Sequence, residues 1–126
     1  MNAKADSLGL PAELVNRVVA ISGIYEPEVI TQVTVNEEAK IDLETAQRNN
    51  CLVNPPQGAA KYLVYAGGDE PAGWIEQSIL YAEVVRAAGY ECEYFSFDNT
   101  EHFTVLCDSF IDDSEPFGKI RKLAEL

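Results

Sequence analysis

The sequence predicts an α/β fold, a short parallel sheet of about three strands flanked by helices. Three observations carry that expectation. Short apolar runs alternate with longer segments of helical pattern along the chain. The clearest runs are apolar at consecutive positions, as strands covered on both faces are. Glycines close the first two of them. With 126 residues, no internal repeat and no low-complexity segment, the chain is expected to form a single domain, 1–126.

The elements follow in order. "RVVAIS" (17–22) is a β-branched run stopped by Gly23 and reads as the first strand. "TVNEEAKIDLETAQRNN" (34–50) reads as helix, with Thr34 three residues before Glu37 in capping-box spacing and Asp42 able to restart it after a break. "NPPQG" (54–58) forces an extended loop, because proline disfavours helix at the residue before it. "KYLVYAGG" (61–68) is the second strand. "GWIEQSILYAEVVRAAG" (73–89) is the strongest helix, with Gly89 as its stop and a narrow polar stripe at Glu76, Glu83 and Arg86, so most of its circumference is expected to be covered. "ECEYFSF" (91–97) is more mixed and reads as an edge strand. Phe103, Leu106, Cys107 and Phe110 then fall at helical spacing as an apolar stripe. A last helix, "EPFGKIRKLAEL" (115–126), has Asp113 or Ser114 as its N-cap.

Composition narrows the function classes. Nine Lys and Arg stand against 21 Asp and Glu, a net charge of −12. A nucleic-acid partner needs clustered cations to displace counterions, and anionic membranes ask the same, so neither is expected. No 18-residue apolar run is present, and the first residues, "MNAKADSLGLP", lack the plan of a signal peptide. Cys51, Cys92 and Cys107 are odd in number and lack CxxC spacing, which predicts buried free thiols in a reducing cytoplasm. No metal site and no cofactor are expected. The first strand is apolar enough to want neighbours on both sides yet has one, which predicts a partner chain or a homodimer at that edge.

Ligands of open parallel sheets bind outside the carboxyl ends of the strands. Ser22, Asp69 in "AGGDE" and His102 in "FDNTEHFTVL" are the candidates there. His102 is the only histidine, and histidine is a natural general base. A carboxylate on a neighbouring strand end can fix the imidazole tautomer and stabilise its charged form. Singly, each signal is also what a plain turn gives: Asp69 as a helix cap, His102 as an exposed residue, Ser22 as turn chemistry beside Gly23.

Together the segments "LGLPAELVNRVVAISGIYEPEVI" (8–30), "IDLETAQRNNCLVNPP" (41–56), "YLVYAGGDEPAGWIEQS" (62–78) and "EHFTVL" (101–106) resemble the carboxyl-terminal half of an α/β-hydrolase, of the arylformamidase (kynurenine formamidase)-like esterase subgroup. The resemblance implies a truncated α/β-hydrolase half. It assigns Asp69 as triad acid, His102 as triad base, and Trp74, Gln77 and Ser78 to the start of the helix that follows. The family's nucleophile serine, on a G-x-S-x-G elbow, and its "HGG" oxyanion loop lie upstream of the "VVAISG" strand. The 126 residues contain neither motif; the serine after that strand stands in Ala20-Ile21-Ser22-Gly23-Ile24, without the flanking glycines. Roughly the first half of the hydrolase is therefore expected to be missing, and the chain alone to be inactive. A makeshift Ser22–His102–Asp69 set is the one internal substitute. Two functions follow as expectations: the Asp/His half of a split ester or formamide hydrolase, completed by a complementary half, or a non-catalytic homodimeric module that binds a small apolar ligand or another protein. A remnant without a selected role is the third.

Overall fold

The computed structural model describes residues 9–11, 14–57 and 60–125. The amino-terminal segment read against a signal peptide lies outside the described residues, as do Gly58 of the proline loop and Leu126 at the end of the last helix. The start of the family-like region at Leu8 lies outside them too.

Three strands form one parallel sheet in chain order: β1 (Arg17–Ile21), β2 (Lys61–Gly67) and β3 (Cys92–Phe97). Val19 lies opposite Leu63 and Ala20 opposite Val64; on the other side Val64 lies opposite Tyr94. β2 is central and buried from Tyr62 onward, which accounts for its continuous apolar run. Its side chains alternate between two cores. Tyr62 and Val64 pack with Tyr81, Ala82 and Val85 of α3 (Ala72–Ala87), together with Tyr25. Leu63 and Tyr65 pack on the opposite face with Phe97, Val105 of α4 (His102–Asp108), and Ile120 and Leu123 of α5 (Glu115–Ala124). β3 is an edge of this sheet, as its sequence predicts, and β1 is the other edge although its apolar run asks for neighbours on both sides.

The segment between β1 and β2 breaks into two short helices at Asp42, as its sequence allows, but begins differently from the expected cap. A 3-10 helix spans Pro27–Gln32, followed by α1 (Asn36–Ala39) and α2 (Leu43–Arg48). Thr34 does not cap. Residues entering α1 already run through turns, and Val35, at the cap position, has helical dihedrals instead of the extended ones a side-chain cap requires. Asp42 does restart the helix: it is extended and its carboxylate accepts from Thr45 N–H at 2.7 Å. Gly89, with φ +91°, follows α3 in the left-handed conformation that stops helices. Ser114 is the cap of α5, accepting from Phe117 N–H at 3.2 Å, while Asp113 takes a left-handed φ of +68°.

Two expected burials fail. Ile79 and Leu80 of α3 are exposed, so the helix covers the sheet with one face and leaves more apolar surface outside than its narrow polar stripe predicts. The α4 stripe is outside as well: Phe103 is 72% and Phe110 73% exposed, and Leu106 and Cys107 are exposed with them. So short a helix can turn only one narrow side inward. Val105 and Ser109, four apart, occupy it, and Ser109 Oγ is fixed at 2.5 Å from the Tyr65 hydroxyl. All three cysteines are free, but none is buried as expected: Cys51 and Cys92 are half-buried and Cys107 is exposed. No helix among the described residues is long and apolar enough to cross a membrane.

Candidate active site

The carboxyl ends of the three strands converge because of two glycines. At Gly67 an added Cβ would run into the carbonyl of Thr100, and at Gly68 it would crowd the Phe97 carbonyl. Their absence of side chains lets the loop after β3 lie directly on the turn after β2. Gly68 N–H donates to Phe97 O at 2.8 Å, and Asp69 N–H donates to Thr100 O at 3.1 Å. Those bonds fix the loop two residues before His102, which opens α4.

The acid beside the histidine is Glu70, not Asp69. Asp69 is exposed, and its carboxylate makes no hydrogen bond or ion pair among the described residues. The Glu70 side chain is wholly buried and holds Oε1 at 3.4 Å from His102 Nδ1. Its Oε1 also accepts from Gly67 N–H at 3.4 Å and from the Ser22 hydroxyl. The reason is local: the Asp69 amide is turned to Thr100 O, which leaves its side chain outside the turn, and the next residue points inward at the start of α3. The imidazole is 47% exposed, with Trp74 edge-on at 6.2 Å and Phe103 at 5.5 Å between ring centres.

Ser22 is in the site but in the wrong order for a nucleophile. Its hydroxyl donates to the acid and not to the base, and the residue is buried. The makeshift Ser22–His102–Asp69 set therefore does not form: two of its members meet, through a glutamate that is not one of them. Gln77 and Ser78 have structural work nearby. Gln77 Oε1 accepts from the backbone N–H groups of Tyr25 (2.8 Å) and Glu26 (2.9 Å), tying the chain after β1 to α3. Ser78 is fully buried on the same helix. Burial pushes the Cys51 and Cys92 thiols up, the opposite of what activates a thiolate. A cavity of about 360 Å³ opens over the site, lined by Ile21, Ser22, Ile24, Trp74, His102 and Leu106. No cluster of three potential metal ligands occurs among the described residues.

Comparison with known proteins bears on the fold. No family model matches the chain. The kynurenine formamidase of Drosophila melanogaster is 26% identical over 122 residues, covering 89% of this chain and 40% of the fly protein. A crystal structure described as a thioesterase, from a Silicibacter species, superposes with a TM-score of 0.72 at 20% identity, over 93% of this chain and 42% of its own. A mutant esterase superposes with a TM-score of 0.61 at 17% identity, over 97% of this chain and 45% of its own. The chain resembles the arylformamidase-like esterases. Its fold is the α/β fold of esterases and related hydrolases, and it spans less than half the length of these relatives.

The geometry shows what the sequence reading missed: the carboxylate turned to the imidazole is Glu70, one residue after the candidate in "AGGDE". Asp69 attracts the eye by residue type alone.

Proposed function

We propose that these 126 residues are the acid–base half of a carboxylic ester or formamide hydrolase, with His102 as general base and Glu70 as the acid that orients it. The observation that carries this reading is the wholly buried Glu70 carboxylate against His102 Nδ1 at 3.4 Å, above the carboxyl ends of the strands. With Nδ1 turned to the acid, Nε2 is the nitrogen left to take a proton from a nucleophile. That nucleophile and the oxyanion donors come from chain beyond these residues, in the same polypeptide or a second one. The relatives' greater length supports this, as does the absence of G-x-S-x-G within the 126 residues. Removing the nucleophile of a triad lowers turnover on the order of a millionfold. The 126-residue chain alone is accordingly inactive. The test is hydrolysis of 4-nitrophenyl acetate and N-formylkynurenine by that chain beside His102→Ala. We expect no difference between them; turnover that the substitution abolishes would mean a nucleophile lies within these residues and would overturn the reading.

A second reading, a non-catalytic homodimeric module, is favoured by two features: the outward apolar residues Phe103, Leu106, Phe110 and Ile111, and the outer edge of β1, which pairs with no further strand among the described residues. Solution mass separates the two. A dimer that persists at micromolar concentration supports the module, and a monomer supports the acid–base half.

A further inference from the structure

Ser22 carries three features that a simple turn residue does not need. Its φ is +46°, a left-handed conformation that costs a residue with a Cβ roughly 1–2 kcal/mol. Gly23, which would adopt it freely, stands one position later and does not. Its N–H is held to Tyr65 O at 2.8 Å, so the backbone is fixed to the central strand. The hydroxyl then reaches Glu70 Oε1, the same oxygen that faces His102. The other oxygen, Oε2, is buried without a partner among the described residues. All of the polar contacts of Glu70 therefore gather on one oxygen, and the strained serine supplies the closest of them.

We propose that Ser22 is a positioning residue, whose hydroxyl holds the Glu70 carboxylate in the orientation that presents Oε1 to His102 Nδ1. The inference rests on Glu70 and His102 being the acid–base pair. Without the hydroxyl the carboxylate keeps, besides the imidazole itself, only the long contact from Gly67 N–H, and it is free to rotate toward Oε2 or away from the imidazole. Strain at a residue that contacts a functional group marks a place where the fold holds geometry against local preference. The groups that bear on the imidazole are few. Glu70 faces it directly, and Glu101 precedes it as an exposed carboxylate. Tyr94 of β3 senses Glu70, and burial, the larger cause, together with that charge holds its hydroxyl above the ordinary value.

The chain has a single histidine, so its ring nitrogen signals in an NMR spectrum belong to His102 without assignment. The spectra are recorded at one pH on the intact 126-residue chain as wild type, E70Q, S22A and S22G. E70Q replaces the charged acceptor at Nδ1 with an amide and is expected to move the ring nitrogen signals. S22A and S22G differ in what they do to the backbone, since glycine relieves the positive φ and alanine does not, but both remove the hydroxyl. Both are expected to reproduce at least about half of the E70Q change. A purely structural serine would change the thermal midpoint, in opposite directions for the two variants, and leave the ring signals where they were. Unmoved ring signals in S22A and S22G, beside moved ones in E70Q, overturn the positioning role and leave the acid–base pair standing. Unmoved signals in E70Q overturn the pair, and the positioning role with it.

Discussion

At the scale of single residues, the site depends on which of two adjacent carboxylates faces inward. Asp69→Asn touches nothing that the fold holds, and it is expected to leave the His102 ring nitrogen signals and the thermal midpoint unchanged. In the hydrolase proposed above, Glu70→Gln is expected to lower kcat by orders of magnitude, because an imidazolium formed in that reaction would lose its partner. Reversal of that ranking, with Asp69→Asn the damaging change, would reinstate Asp69 as the acid. Gly67 is the other decisive residue. Gly67→Ala drives a methyl group into the Thr100 carbonyl and has only backbone to displace, so a loss of at least about 2 kcal/mol is expected in urea unfolding. The candidate base was legible from type alone, as the only histidine after the third strand. The acid was not, because residue type favoured Asp69 and only the direction of its amide, toward Thr100, settles which side chain turns inward.

Among the elements, caps and faces obey different rules of legibility. The strands were readable because a buried parallel strand has to be apolar on both sides, and β2 is. The outward stripe of α4 was not, since its spacing is the same whether it faces core or solvent. What decides it is the Ser109–Tyr65 hydroxyl contact, a pairing 44 residues apart that no local pattern reveals. Ser114→Ala removes the α5 cap and is expected to cost about 1 kcal/mol. The α2 cap has a pH signature. Hydrogen bonds from Thr45 hold the Asp42 carboxyl below its ordinary value, so its contribution is full above the ordinary aspartate range and is lost as the pH falls through the lowered one. Amide shifts of residues 43–48 should therefore report loss of the turn on acidification in the wild type and not in Asp42→Asn. A titration that is the same in both would remove Asp42 from that role.

For the whole molecule, charge and apolar exposure pull in opposite directions. A net charge of −12 repels copies of the chain from one another, whereas Phe103 and Phe110 invite contact. If association runs through α4, the double substitution Phe103→Gln with Phe110→Gln lowers the measured mass to that of a monomer with little change in unfolding free energy; an unaltered oligomer would place the contact elsewhere, with the β1 edge next to be examined. The two cores differ in when they can exist. The core under α3 needs nothing beyond Tyr94, so it can close while the chain is still being made. The opposite one joins Leu63 and Tyr65 to Phe97, Val105, Ile120 and Leu123, and its last members come from α5, about sixty residues after the strand they cover. During synthesis Val19, Ile21, Leu63 and Tyr65 therefore stay partly bare until α5 has left the ribosome. A growing chain stalled short of residue 115 would present that apolar face to whatever chaperone waits at the exit.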